Sequence, residues 1–128
     1  MFLYPYKKST SNDFYPIVDF IIYFKKNISR TSALIDSGAT ISIFRPEVAR
    51  SLGITIENGK EIFLGGVGGR IKGFVHDVEL EVAGKKISCP VVFSNEYHVS
   101  LNLLGRAGFF DKFKIIFEEK KKQVRLES

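Results

Sequence analysis

The sequence predicts an all-β domain, a barrel or closed sandwich of about ten short strands with one or two short helices. Three observations carry this. The apolar residues are mostly β-branched or aromatic and come in short runs. Around residues 74–82 they alternate with charge: Phe74, His76, Val78, Leu80 and Val82 share one face, and Asp77, Glu79 and Glu81 the other. Clusters of glycine and lysine fall between the runs, where hairpin turns belong.

The elements follow in order. Residues 15–24 (YPIVDFIIYF) read as a strand, and 29–36 (SRTSALID) as its hairpin partner across a turn at 25–28. Ser37, Gly38, Ala39 and Thr40 form a small-residue loop, and 41–44 a short apolar return. Residues 46–52 (PEVARSL) are the best helix candidate. Pro46 suits the first helical position, Glu47 the positive end of the dipole, and Gly53 a C-terminal stop. At about two turns, that helix must be held by packing. Residues 61–67 read as a strand running into Gly65-Gly66-Val67-Gly68-Gly69, a mobile hairpin tip. The alternating strand from Arg70 turns at Ala83-Gly84 and returns over 85–93. Residues 101–104 are a short apolar run, and 105–113 (GRAGFFDKF) are expected to form a short helix. Residues 115–117 and 124–126 make a last hairpin around a lysine cluster. Residues 1–14 form an N-terminal arm, flexible or serving as a dimer strand, and 15–128 a single domain.

At 128 residues the chain has one domain's length and enough surface to bury a core, but not enough for an enzyme with two full lobes. The net charge of +5 could point to nucleic acid, but the lysines at 25–26, 85–86 and 120–122 sit in predicted turns. Neither a nucleic-acid partner nor a membrane is expected: the longest apolar run, 20–24, is far short of a span of ~20 residues. The single cysteine and the lack of a leader pattern at the N-terminus point to a reducing, cytoplasmic setting.

Most candidate chemistry drops out. His76, His98 and Cys89 match no metal-ligand spacing, so no metal or cofactor is expected. His76 reads as a core histidine and Cys89 as a buried structural thiol. The glycine-rich run lacks the lysine and the strand–helix context of a phosphate loop. What remains is Asp36, carried out of a strand by Ala33, Leu34 and Ile35 and followed by Ser37 and Gly38. Taken alone it suits a turn carboxylate bonding its own backbone. Two further features accompany it: the glycine-rich hairpin about 30 residues downstream, and Leu103-Leu104-Gly105-Arg106 near the C-terminus.

In this order and spacing the three segments resemble the retropepsin-like aspartic proteases, the single-lobe branch that includes the retroviral enzymes. The family pattern is apolar-apolar-Asp-Thr/Ser-Gly-Ala, a glycine-rich flap, then apolar-apolar-Gly-Arg. The resemblance covers residues 15–127. It implies a closed, barrel-like acid-protease lobe that works as a homodimer on an extended peptide or unfolded protein. Asp36 would be catalytic, and Ser37 would hydrogen-bond across the dimer beneath the carboxylates. Gly38, with Ala39 and Thr40, would let substrate backbone approach. Gly66, Val67, Gly68 and Gly69 would form the flap tip, and Leu104, Gly105 and Arg106 would support the Asp36 loop. Only Asp36, of five aspartates, precedes Ser/Thr-Gly, so a catalytic pair requires two copies. One departure stands out: retroviral members carry an aspartate where this chain has Thr40, which leaves Arg106 without its family partner. That departure favours the alternative function, a catalytically silent dimer that binds peptides or proteins.

Overall fold

In the computed structural model, which describes residues 1–66 and 69–128, the chain is mostly β. The strands are β1 (Phe2–Pro5), β2 (Lys7–Lys8), β3 (Phe14–Tyr15), β4 (Ile17–Phe24), β5 (Asn27–Ile35) and β6 (Ser42–Phe44). They continue as β7 (Lys60–Gly66), β8 (Gly69–Val82), β9 (Lys85–Phe93), β10 (Leu103–Leu104), β11 (Lys114–Glu118) and β12 (Gln123–Glu127). The main sheet has the order β4-β5-β10-β6-β9-β8-β7, and Ile21–Tyr23 of β4 also pair with Glu79–Glu81 of β8. Most neighbours are antiparallel, with two parallel exceptions. The short β10 runs parallel to β5, and β6 runs parallel to β9. Both exceptions lie around the Asp36 loop.

Local chemistry sets the turns. Lys25 (φ +54°), Ala83 (φ +52°) and Gly84 (φ +71°) adopt left-handed conformations, as tight hairpins require. The lysine clusters fall at or beside these turns. Helix α1 (Pro46–Ser51) has Pro at its start, Glu47 in its first turn and Gly53 (φ +68°) just beyond it. Its Val48 and Ala49, with the following Leu52, are buried in the main core. That core gathers alternate residues of the strands: Val18, Phe20 and Ile22, then Val78, Leu80 and Val82, then Ile87, Cys89, Val91 and Phe93. A smaller cluster of Ile43, Val92 and Tyr97 lies apart from it.

Two regions differ from the sequence expectation or add to it. Residues 105–113 form no α-helix; only a 3-10 turn at Phe110–Lys112 is present. Gly108 is the cause. Its φ is +83°, and a Cβ there would come within 2.4 Å of Pro90 Cδ. The backbone therefore presses against β9 in a conformation that a helix does not use. Asp111 Oδ2 accepts the Gly108 N–H at 3.2 Å. Phe109 and Phe113 are buried from this irregular segment. At the other end, β1 pairs antiparallel with β12, and β12 with β11, as a separate three-stranded sheet. Tyr4 caps the β8–β9 turn by accepting the Ala83 N–H at its hydroxyl, 3.0 Å.

Candidate active site

Strand β5 delivers Asp36 and is held on both sides. The Ile35 N–H donates to the Pro16 carbonyl at 2.9 Å, and the Leu34 N–H to the Asn102 carbonyl at 2.8 Å. The Asp36 N–H donates to the Leu104 carbonyl at 3.0 Å, continuing the β5–β10 ladder by one residue. Asp36 thus begins a loop from a strand fixed on two edges, which limits its freedom.

The loop then folds back on itself. The Gly38 N–H donates to Asp36 Oδ1 at 2.9 Å, and the Ala39 N–H to the Asp36 carbonyl at 3.2 Å. The first bond fixes the carboxylate's rotamer, and the second closes the turn. A Cβ on Gly38 would sit 3.2 Å from Asp36 Oδ1, so any side chain there would press on the carboxylate. From below, the Arg106 N–H donates to the Ala39 carbonyl and the Ala107 N–H to the Thr40 carbonyl, both at 2.9 Å. Gly105 packs directly under this loop, and the Ser42 hydroxyl accepts its N–H at 3.0 Å.

Each residue expected at the site can now be located. Asp36 and Ala39 are half-buried, whereas Ser37, Gly38 and Thr40 are exposed beside them. Leu104 and Gly105 are buried beneath the loop, and Arg106 is exposed at its edge. Arg106 makes no ion pair among the described residues, in keeping with Thr40 at the position where a carboxylate would meet it. Gly66 pairs with Gly69 near the end of the β7–β8 hairpin. Val67 and Gly68 lie outside the described residues.

The hairpin stem meets the Asp36 region through apolar contacts. Leu64 and Ile71, opposite each other in register, pack with Ile43, Tyr97 and Leu103. Leu103 pairs with Leu34, two residues before Asp36. A cleft of about 330 Å³ opens here, lined by Ile43, Leu64, Gly65, Gly69, Ile71 and Tyr97 and, on its polar side, by Glu96 and His98, with Val99 beside them. Tyr97 donates its hydroxyl to the Leu101 carbonyl at 2.6 Å. Burial raises its phenol pKa, the charge of Asp36 raises it further, and Arg45 opposes them. A larger hollow of about 560 Å³ lies on another face, among Tyr4, Asp19, Arg30 and Glu81, with none of the expected site residues in its lining.

Three supports escaped the sequence reading: Ser42, Tyr97 and Asn102. Asn102 is buried and uses both ends of its amide. Its Oδ1 accepts the Arg45 N–H at 2.7 Å, while its Nδ2 donates to Thr31 Oγ1 at 3.1 Å and to the Ser32 carbonyl at 2.9 Å. It ties the segment before β10 to β5 and to the start of α1. A lone Ser, Tyr or Asn carries no periodic or motif signal, so none was available.

The residues set aside earlier have structural roles. His76 Nε2 lies 2.8 Å from the Ile56 carbonyl and must donate to it, since a carbonyl only accepts. Its ring meets Phe24 and Phe93 edge-on. Cys89 is fully buried, and burial pushes its thiol up to about 11. No group of three or more His, Cys, Asp or Glu side chains able to hold a metal occurs among the described residues.

A family profile described as "Aspartyl protease" matches residues 24–107, from the end of β4 through the Gly105-Arg106 segment. No curated protein sequence matches significantly. Among solved structures, a retropepsin-like aspartic protease from Rickettsia conorii superposes with a TM-score of 0.68 at 14% identity, covering 97% of this chain and 98% of that one. The EIAV protease complexed with the inhibitor HBY-793 superposes with a TM-score of 0.58 at 21% identity, covering 78% of this chain and 88% of its own.

Proposed function

The chain belongs to the aspartyl protease family, in its retropepsin-like branch, and from that premise we propose that it is an aspartic endopeptidase acting as a homodimer. The observation that carries the reading is the half-exposed Asp36 carboxylate, held by the Gly38 N–H on a loop braced from Leu104, Gly105 and Arg106.

One chain supplies one such aspartate. The other four are engaged elsewhere or point away. Asp19 pairs with Lys7, Asp13 accepts from the Ser11 hydroxyl, Asp111 accepts from Gly108, and Asp77 is exposed on β8 opposite Pro90. A water held between two carboxylates therefore requires a second copy, with Asp36 of each subunit meeting near a two-fold axis. A closed barrel-like lobe goes with this arrangement, since β4 already contacts both β5 and β8.

Two carboxyls in contact do not both ionise, so the pair holds one proton, as is known for aspartic-protease dyads generally. The ionised member takes a proton from the water, which attacks the scissile carbonyl. The protonated member donates to the carbonyl oxygen. The tetrahedral intermediate then collapses as the leaving nitrogen is protonated, and the dyad returns to one proton. Ser37 would bond across the dimer beneath the carboxylates, and Gly38 would admit the substrate backbone. The Gly66–Gly69 end of the β7–β8 hairpin would cover the bound peptide and exclude water. The apolar cleft beside Tyr97 and Ile71 favours an extended peptide with apolar side chains. The single buried cysteine suits work in a reducing, cytoplasmic compartment, with residues 15–128 as the catalytic domain and 1–14 as its N-terminal segment.

Asp36→Asn in the dimer, assayed on an unfolded protein, tests the reading. Loss of cleavage with an unchanged sedimentation profile supports it, and retained cleavage refutes it. Absence of cleavage by the wild-type dimer over the acid-to-neutral range supports the silent peptide binder instead, the reading that Thr40 favours.

A further inference from the structure

The base of the β7–β8 hairpin has an edge that no strand covers. Strand β9 pairs with β8 as far as Phe74↔Phe93, after which the chain leaves the sheet. At the next ladder position, Lys72 of β8, side chains replace the missing strand. The Ser94 hydroxyl donates to the Lys72 carbonyl at 2.5 Å, and Glu96 Oε1 accepts the Lys72 N–H at 3.1 Å. Ser94 Oγ in turn accepts the Glu96 N–H at 3.1 Å. Ser94 is fully buried. Both peptide groups of Lys72 thus turn away from its β7 partner Phe63 and are met by one short segment. Gly73 makes the close approach possible, because a Cβ there would lie 2.5 Å from Val92 Cγ1 and 3.5 Å from Ser94 Cβ.

The same segment continues into the Asp36 support. After Glu96 come Tyr97, a member of the buried cluster against which Leu64 and Ile71 pack, then Asn102, which bonds β5, then Leu104, whose carbonyl accepts the Asp36 N–H. Over residues 94–104 one covalent stretch grips the hairpin stem at one end and the Asp36 strand at the other.

We propose that residues 94–104 act as a strap that sets the position of the hairpin stem relative to Asp36, with Ser94 and Glu96 as positioning residues at its hairpin end. Glu96 acts here as a hydrogen-bond acceptor, through the Lys72 N–H; because its side chain also lines the cleft, the Lys72 exchange readout is what separates this role from a direct contact with substrate. The inference deepens the proposed peptidase reading and rests on it for the role of the hairpin. A stem held in register presents Ile71 and Leu64 to the substrate as already ordered surface, so the strap contributes to substrate binding more than to the chemical step.

The test uses the full-length protein and the variants Glu96→Ala and Glu96→Gln. Amide hydrogen exchange at Lys72 is read by NMR, and kcat and KM are read on an unfolded-protein substrate. Losing one net hydrogen bond should speed Lys72 exchange roughly five-fold in Glu96→Ala. Amides of β8 beyond residue 77, paired to β9, should be unaffected. KM should rise several-fold with kcat within about two-fold. Glu96→Gln, which keeps the acceptor oxygen, should return both readouts toward wild type. Unchanged Lys72 exchange in Glu96→Ala overturns the proposal, whatever the activity. So does a Glu96→Gln variant that behaves like alanine, or faster exchange with no change in KM. Should the wild type cleave nothing, the peptidase reading fails, while the exchange data still decide whether the strap holds the stem.

Discussion

Replacing Gly105 with alanine asks whether the Asp36 loop is set by backbone packing from below. A Cβ at this position would lie 2.5 Å from the Ile41 carbonyl carbon, 2.6 Å from its oxygen and 2.9 Å from the Ala39 oxygen. All three are backbone atoms, so no side chain can swing aside. Ordinary contact begins about 1 Å further out, so loop and support must separate by roughly that distance. Overpacking of this kind costs about 1–3 kcal/mol. For a domain of this size that is a fall in Tm of roughly 3–12 °C, readable by calorimetry or urea denaturation. The displaced atoms belong to the loop that carries the carboxylate, since Ala39 N–H bonds back to the Asp36 carbonyl. A misplacement near 1 Å at a reacting group can cost about 100-fold in rate, so activity should fall far more than the residual folded fraction explains. A Gly105→Ala protein with wild-type stability and wild-type kcat/KM would refute the reasoning.

Other consequences can be checked with similar means. Asn102→Ala should lower unfolding free energy by about 1–3 kcal/mol in urea, because it removes the side-chain partner of the half-buried Arg45 N–H and Ser32 carbonyl; a loss under about 0.5 kcal/mol would mean that water replaces the amide freely. Cys89 should resist alkylation in the native state at pH 8 and react only as urea unfolds the chain, because burial keeps the thiol protonated up to about 11. The folded thiol titrates above its free value of 9.0, so its contribution to stability is present below pH 9.0 and is lost as pH rises to about 11. A stability curve flat across that window, measured on wild type against Cys89→Ala, would contradict this.

Much of the fold was legible because its signals are local. Alternation marked β8, Pro46 and Gly53 bounded α1, and glycine or lysine clusters marked the turns. The segment 105–113 was misread as a helix because its deciding contact, Gly108 against Pro90 and Cys89, is remote in sequence. The β1–β12 pairing joins residues at opposite ends of the chain, and no local pattern encodes a pairing of that span. At the site, Asp36, Gly38 and Gly105 stood out through the resemblance of their segments to the retropepsin-like pattern; the close backbone approaches that require glycine at 38 and 105 are visible only in the structure. Ser42, Asn102 and Ser94 did not, since a buried polar residue can be assigned only once its partners are known.

In the proposed dimer each active site takes one Asp36 from each of two chains. Co-refolding wild type with Asp36→Asn in varying proportion, at constant total protein, tests it most directly. The account predicts that cleavage of an unfolded protein falls as the square of the wild-type fraction, to about one quarter at an equal mixture. A linear fall, to about one half, would show that each chain works with its own Asp36, and a fall only to about three quarters that one Asp36 suffices in a shared site; either rules out the two-chain dyad.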